Sequence, residues 1–170
     1  INAFNFPCWG LLEKLAPALL AGVPAIVKPA SSTSYLTAAV VRRIIGSGIL
    51  PEGSIQLICG SVGDLFDHLT SQDTVAFTGS KSTAEKLQQH PRIVGQSVRF
   101  TAETDSLNAS ILGPDAVPGT PEFDLFVNEV KREMISKAGQ KCTAIRRVLV
   151  PAERLDDACD ALADRLHGLV

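Results

Sequence analysis

Two kinds of hydrophobic spacing alternate along the chain. Leu11, Leu15 and Leu19 recur every four residues, which predicts a helix over residues 10–21 that Gly22 ends. Residues 24–29 instead form a short apolar run that stops at Pro29, as is typical of a buried strand.

The same alternation continues to the end of the chain. Further helices are predicted at residues 34–46, 64–70, 80–89, 121–136 and 155–169. Further strands are predicted at residues 54–59, 74–78, 97–102, 107–112 and 146–150. Helices that alternate with short strands favour crossover connections and a parallel sheet covered by helices. The predicted fold class is therefore α/β, and no repeat, low-complexity tract or linker marks an internal domain boundary.

Composition narrows the kinds of partner. Of the 170 residues, 45% are hydrophobic and 20% charged, as in ordinary globular domains. The net charge of -2 provides no basic surface for a phosphate backbone, which argues against nucleic acid. The apolar stretches are shorter than the roughly 20 residues of a spanning helix, so we expect no membrane insertion. The first residues contain no initiator Met and no signal-peptide pattern, from which we expect a piece of a longer protein.

The four cysteines are far apart in the sequence, at Cys8, Cys59, Cys142 and Cys159. Without a C-x-x-C pair they predict neither a metal site nor a dense disulfide framework. Reduced thiols in the cytoplasm fit this spacing best.

Cys142 lies in a glycine-containing turn predicted between a long helix and a strand. An exposed thiol on such a turn can attack a substrate carbonyl. A buried cysteine more often serves as a small core side chain, and the local pattern leaves both readings open.

Two further side chains have both a catalytic and a structural reading. Glu103 follows an apolar strand, where a carboxylate partly shielded from water can act as a general base, or where a solvated loop acid can lie. Asn5 lies between aromatic residues, where its amide either ties down its own turn or points at a developing oxyanion.

Several residues at strand ends are candidates for nucleotide contact. Lys28 ends the predicted strand at residues 24–29, where open α/β sheets bind nucleotides, although a surface lysine would also fit. Glycine-containing turns follow two other strands, at residues 60–63 and 78–80. The second opens a helix whose free N–H groups can hold a pyrophosphate. Neither matches a G-x-G-x-x-G or Walker sequence, so each is a weak signal alone.

Taken together and in order, four segments resemble motifs of the aldehyde dehydrogenase superfamily, over essentially the whole chain. They are Phe4-Asn5-Phe6-Pro7, Val27-Lys28-Pro29-Ala30, Phe77-Thr78-Gly79-Ser80 and Gly139-Gln140-Lys141-Cys142. The resemblance implies a Rossmann-like cofactor domain, with residues 1–102 as part of it and residues 103–170 as the start of the catalytic domain. It also implies a homo-oligomer in the full-length protein, and an isolated piece without activity.

The resemblance assigns a role to each candidate residue. Cys142 would attack the aldehyde, Asn5 and the Cys142 N–H would stabilise the oxyanion, and Glu103 would activate the water that hydrolyses the thioester. The implied cofactor is NADP or NAD. The residues predicted to bind it are Lys28, Ser31, Gly60, Gly63, Thr78, Gly79 and Ser80.

Two departures from the common family pattern refine this expectation. Many members have Glu-Leu-Gly-Gly where this chain has Glu103-Thr104-Asp105-Ser106. The variant resembles the branch that oxidises coenzyme A-linked semialdehydes in aromatic catabolism, above all the dehydrogenase part of the phenylacetate ring-opening protein. Many NAD-preferring members have an acid where this chain has Ser31, so we predict that NADP is accepted.

Three alternatives remain beside the acid-forming enzyme. A coenzyme A-acylating aldehyde dehydrogenase would transfer the acyl group instead of hydrolysing it. A non-catalytic nucleotide-binding domain would keep the glycine turns but have no use for the thiol, the carboxylate and the amide together. A thiol-dependent acyltransferase or hydrolase would need a histidine beside the cysteine, and His68, His90 and His167 lie in no motif-like setting.

Overall fold

A computed structural model describes residues 1–169 and divides the chain into two compact units, Ile1–Asp105 and Ser106–Val170. The first unit contains, in order, α1 (Pro7–Leu20), β1 (Ala25–Val27), α2 (Ser34–Gly46), β2 (Ile55–Leu57), β3 (Thr74–Thr78), α3 (Lys81–Gln88), α4 (Pro91–Gly95) and β4 (Arg99–Glu103). The second contains β5 (Asn108–Ile111), α5 (Pro121–Ile135), β6 (Ile145–Leu149) and α6 (Leu155–Leu166). Short 3-10 turns lie at Ser31–Thr33, Leu65–His68, Ser136–Gly139 and Ala152–Arg154.

The strands pair in parallel, which confirms the predicted α/β class. β1 pairs with β2, β3 with β4 and β5 with β6, each in parallel. In the second of these pairs, Thr78 lies opposite Glu103. The residues that follow β3 and β4 therefore leave the strand pair at the same edge.

Most predicted elements are confirmed, with differences at their ends and in one short region. α2 and β3 begin and end at the predicted residues, whereas the helix predicted at residues 64–70 is only the 3-10 turn Leu65–His68. α4 was not predicted, because five residues are too few to show a helical period. Its start carries helix signals nonetheless: Pro91 occupies the first turn, and Nδ1 of His90 accepts a hydrogen bond from the Arg92 N–H at 3.3 Å.

The opening residues of the chain join β1 to β3. The amino nitrogen of Ile1 donates to the Ala76 carbonyl at 2.7 Å, and the Thr78 N–H donates to the Ile1 carbonyl at 3.0 Å. On the other side, the Asn2 N–H donates to the Lys28 carbonyl at 3.0 Å. These bonds place the carboxyl ends of β1 and β3 on either side of one extended segment.

The end of α1 shows why a glycine follows it. The Val23 N–H donates to the Ala18 carbonyl at 2.9 Å, and the Gly22 N–H donates to the Leu19 carbonyl at 3.0 Å. This pair of bonds is a Schellman motif, which requires a left-handed residue just past the helix. Gly22 has φ +74°, so the predicted helix stop is confirmed.

Each unit has its own buried apolar residues. In the first unit, one cluster comprises Leu11, Leu15, Val27, Val41 and Ile55, and a second comprises Phe66, Val75, Ile93 and Val98. In the second unit the cluster comprises Leu112, Ala116, Phe123, Phe126, Val127 and Val130. Each large side chain buried in this way contributes about 1.5–3 kcal/mol, which holds the strand ends in place.

Candidate active site

The strand ends of the first unit bring predicted cofactor residues to one edge. Lys28 directly follows β1, and Thr78 is the last residue of β3. Asn5, half-buried, lies in the turn between the opening segment and α1. Because the opening segment bonds to both strands, these three residues lie at the same edge of the hydrogen-bonded array.

One lysine at this edge is held by the backbone beside it. The Lys28 ammonium donates to the Pro29 carbonyl at 3.0 Å and is half-buried. Ser31 is exposed in the 3-10 turn that follows, and its carbonyl accepts a hydrogen bond from the Ser34 hydroxyl at 3.0 Å. The Lys28 charge can therefore attract an anionic ligand.

The turn after β3 packs closely against the end of β4 and the ring of Phe77. The Gly79 N–H donates to the Glu103 carbonyl at 3.1 Å, which ties the turn to the end of β4. A Cβ on Gly79 would lie 2.5 Å from Cζ of Phe77, so no larger residue fits without movement. The Thr78 hydroxyl is buried and has no hydrogen-bond partner within residues 1–169. A polar ligand group at this turn would satisfy it, which fits a bound dinucleotide.

Two backbone N–H groups at the start of α3 already have acceptors within the protein. Ser80 is the N-cap, and its hydroxyl accepts from the Thr83 N–H at 3.4 Å. A carboxylate oxygen of Asp105 accepts from the Lys81 N–H at 3.2 Å. A pyrophosphate at this helix start would therefore share the first turn with Asp105, a competitor that the sequence did not reveal.

The turn after β2 also has the expected glycine geometry. Gly60 has φ +137° and Gly63 has φ +56°, values that favour glycine over other residues. The Gly63 N–H donates to the Ser61 hydroxyl at 3.2 Å. Since β2 runs parallel to β1, this turn leaves its strand pair at the edge where Lys28 lies.

Glu103 is the last residue of β4 and borders an open depression of about 240 Å³. Glu13, Lys14 and Thr78 also line the depression. Sequence reasoning missed Lys14, which reads simply as the partner of its neighbour Glu13, to which it bonds at 2.8 Å. In this chain Glu103 is exposed, on a strand that pairs within the described residues only with β3.

Cys142 lies in the second unit and is exposed. It follows α5 and the 3-10 turn Ser136–Gly139, and it precedes β6, as the sequence predicts. An exposed thiol on a turn is accessible to a substrate, and within the described part of this chain Cys142 is not part of a buried cluster.

The residues from Ser136 to Ala144, called here the cysteine loop, are held by side chains around them. Lys137 and Ala138 have φ +52° and +53°, in the left-handed region that non-glycine residues rarely adopt. The Lys141 ammonium lies 2.9 Å from a carboxylate oxygen of Glu133, and both side chains are largely buried. The loop is thus a defined structure with local strain.

Three side chains bind carbonyl groups of the cysteine loop. The Asn108 amide donates to the Cys142 carbonyl at 2.6 Å and to the Ala144 carbonyl at 3.1 Å. The Ser106 hydroxyl also donates to the Cys142 carbonyl. The Arg146 guanidinium donates to Gly139 at 2.7 Å and to Lys141 at 3.3 Å. None of the three was a sequence candidate, because their role appears only when the loop folds back on β5 and β6.

The predicted residues are therefore divided between the units. Asn5, Glu103 and the seven predicted cofactor residues belong to the first, and Cys142 belongs to the second. The catalytic and cofactor-binding roles of these residues stay predictions.

Other kinds of site find no support in the described part of the chain. The four cysteines are free thiols. Within residues 1–169 no group of three or more His, Cys, Asp or Glu side chains is placed to hold a metal ion. Over the same residues, every helix is too short or too polar to cross a bilayer.

Comparison with known proteins identifies relatives along the whole chain. The sequence profile described as "Aldehyde dehydrogenase family" matches residues 1–170. The 3,4-dehydroadipyl-CoA semialdehyde dehydrogenase of Aromatoleum evansii is 56% identical over 168 residues, which are 99% of this chain and 33% of that protein. The geranial dehydrogenase of Castellaniella defragrans is 33% identical, over 96% of this chain and 33% of that protein.

A solved structure gives the same picture. The betaine aldehyde dehydrogenase of Staphylococcus aureus, crystallised in complex with NAD+, superposes with a TM-score of 0.85 at 29% identity. The match covers 98% of this chain and 32% of that one. The chain thus spans about a third of the length of these two curated relatives.

Proposed function

The chain belongs to the aldehyde dehydrogenase family, and from this we propose that it carries the nucleophile and much of the cofactor site of an NAD(P)-dependent enzyme that oxidises an aldehyde to an acid. The observation that carries the proposal is the exposed Cys142 thiol on a loop whose backbone is held by surrounding side chains. A nucleophile needs both access to its substrate and a fixed direction of attack.

The proposed chemistry uses three groups of the chain. The Cys142 thiolate attacks the carbonyl carbon of the aldehyde, and the resulting oxyanion accepts hydrogen bonds from the Asn5 amide and the Cys142 N–H. The nicotinamide cofactor, when bound, supplies the acceptor for the hydride that leaves this carbon. Glu103 then takes a proton from the water that attacks the thioester, so the acid is released and the thiolate restored.

For the cofactor, we propose contacts at the carboxyl edge of the first unit. The unpartnered Thr78 hydroxyl and the half-buried Lys28 ammonium support this placement. Gly60, Gly63, Gly79 and Ser80 lie on the turns that leave the neighbouring strands. The absence of a carboxylate at exposed Ser31 supports acceptance of the NADP 2′-phosphate, because no negative charge there would repel it.

For the substrate, we propose a coenzyme A-linked semialdehyde of phenylacetate or related aromatic catabolism. The support is the 56% identity to an enzyme named for a CoA-linked semialdehyde, together with the departure from Glu-Leu-Gly-Gly at residues 103–106. We further propose that the whole protein works in the cytoplasm as a homo-oligomer.

The test is steady-state and rapid-mixing kinetics on the whole protein with free and CoA-linked aldehydes. Cys142→Ala should abolish oxidation, whereas Cys159→Ala, which removes an exposed thiol in α6, should not. Glu103→Gln should allow one hydride transfer per site and then stall, because hydrolysis of the acyl-enzyme lacks its base.

Three results would contradict the proposal. Full activity in Cys142→Ala would show that Cys142 is not the nucleophile. Undiminished turnover in Glu103→Gln that depends on added coenzyme A would favour the acylating alternative. Binding of cofactor without oxidation of any aldehyde would favour a nucleotide-binding domain.

A further inference from the structure

Two peptide groups flank the Cα atom of Cys142, and the carbonyl oxygen of each is bound by side chains from outside the cysteine loop. The preceding group joins Lys141 to Cys142, and its carbonyl accepts from Arg146 Nη2 at 3.3 Å. The following group carries the Cys142 carbonyl, which accepts from Asn108 Nδ2 at 2.6 Å and from the Ser106 hydroxyl. Both peptide groups are therefore held in place.

This arrangement determines where the sulfur can lie. A peptide group is planar, so the orientations of the two groups together set the φ and ψ angles of Cys142. Those angles set the direction of the Cα–Cβ bond. The side chain then keeps only the rotation about that bond, which has a few staggered positions.

The loop needs these contacts because its own backbone preferences oppose its shape. Lys137 and Ala138 both lie in the left-handed region, which disfavours residues with a Cβ atom. Such conformations persist where the surrounding structure imposes them. Asn108 supplies part of that constraint, since its amide also donates to the Ala144 carbonyl at 3.1 Å.

Asn108 is well placed for this role. It is the first residue of β5 and lies opposite Ile145, at the start of β6. Its half-buried amide bonds both to Cys142 and to the residue before that strand. The cysteine loop is thus anchored to the hydrogen-bonded strands β5 and β6.

We infer that Asn108, together with Ser106 and Arg146, positions the Cys142 thiol for attack on the aldehyde carbonyl. The inference rests on the proposed role of Cys142 as the nucleophile. A positioning residue should influence the chemical step and not the affinity for substrate or cofactor, because it touches neither of them.

The test changes the donor without changing its shape. In the whole protein, Asn108→Asp keeps the size of the side chain but cannot donate, and Asn108→Ala removes the group. Each should lower the rate constant of the first hydride transfer about 10- to 100-fold, as expected when a reacting group is misplaced. The aldehyde KM and the cofactor dissociation constant should stay within about twofold of wild type.

Ser106 offers an independent pair of variants. Ser106→Ala should slow the first hydride transfer, and Ser106→Thr, which keeps the hydroxyl, should restore it. Because rescue requires the donor itself, general loosening of the fold would not reproduce this difference. If an Asn108 variant fails to fold, this pair decides the matter, and wild-type rates in both would overturn the inference.

Matched controls separate a local effect from a general one. Asn128→Asp makes the same change in α5, where the Asn128 amide oxygen accepts from Arg165 and does not contact the loop, so the rate should not change. Hydrogen–deuterium exchange of peptides from α5 and α6 reports whether the second unit stays folded.

The controls also distinguish the two possible failures. If Cys142→Ala retains full activity, the proposed function fails. If Cys142→Ala is inactive but the Asn108 and Ser106 variants react at the wild-type rate, only the positioning role is overturned.

Discussion

Replacing Gly79 with alanine should press a methyl group into the ring of Phe77. A Cβ at this position would lie 2.5 Å from Cζ of Phe77, and 3.1 and 3.3 Å from the two ring ε carbons. Carbon atoms in contact prefer about 3.5–4.0 Å, so the ring and the turn must separate by about 1 Å. Phe77 is only 4% exposed, which means that its ring has to move against a packed interior.

The magnitude follows from the cost of overpacking. Inserting a methyl group into a close-packed site costs about 1–3 kcal/mol. At about 1.4 kcal/mol per tenfold change, this raises the population of locally opened β3 and α3 by about 5- to 150-fold. Gly79 has no positive φ, so the penalty comes from packing and not from backbone strain.

Hydrogen–deuterium exchange of the whole protein measures this opening directly. Peptides that cover Thr74–Gln88 should exchange about 5- to 150-fold faster in Gly79→Ala, because exchange follows the population of the open state. Peptides from α5 should exchange as in wild type. Affinity for the cofactor should fall as well, since the turn carries three of the proposed contacts.

Gly46→Ala is the matched control for this prediction. Gly46 ends α2, and a Cβ there would meet nothing within 4 Å. Its exchange should stay unchanged or slow slightly, as alanine favours the helix. Adding Phe77→Leu to Gly79→Ala should recover part of the loss, because a smaller side chain makes room. Wild-type exchange in Gly79→Ala would refute the reasoning.

Three further predictions follow from single contacts. Gly22→Ala should lower the unfolding free energy of the first unit by about 1 kcal/mol in denaturant titration, because alanine is disfavoured at φ +74°; no loss would contradict the capping role. Ser31→Glu should raise the KM for NADP at least about tenfold and leave the KM for NAD unchanged, because the new carboxylate repels the 2′-phosphate; equal effects on both KM values would contradict this explanation. Glu133→Gln should cost about 1–3 kcal/mol and speed hydrogen exchange of the cysteine loop, since the Lys141 side chain is only 17% exposed and loses its carboxylate partner at 2.9 Å; an unchanged loop would show that the ion pair is dispensable.

The fold was predictable where a pattern is both long and local. α2 and β3 were placed to the residue, because helical spacing and a β-rich apolar run need no distant partner. The ends of the other strands depend on pairing, which the sequence does not display. The hydrogen bonds from Ile1 and Asn2 to the two flanking strands were likewise not predictable, because tertiary contacts set the register of a strand pair.

The site was predictable as residue types but not as an arrangement. The turn position of Cys142 is confirmed, and both Cys142 and Glu103 are exposed in this chain. The hydrogen bond from the Lys81 N–H at the start of α3 to the Asp105 carboxylate depends on how the residues after β4 turn back. Contacts between segments far apart in sequence leave no local signature.

The cysteine loop shows why the sequence around a nucleophile does not by itself establish its geometry. Two left-handed residues, Lys137 and Ala138, cost about 1–2 kcal/mol each. A neutral hydrogen bond returns about 0.5–1.5 kcal/mol and one from a charged donor about 1.5–3 kcal/mol, so the bonds from Asn108 and Arg146 suffice to offset this cost. The loop conformation is therefore a property of β5 and β6 as much as of the residues that form it. Substitutions in those strands should alter the reactivity of Cys142 without touching its own segment.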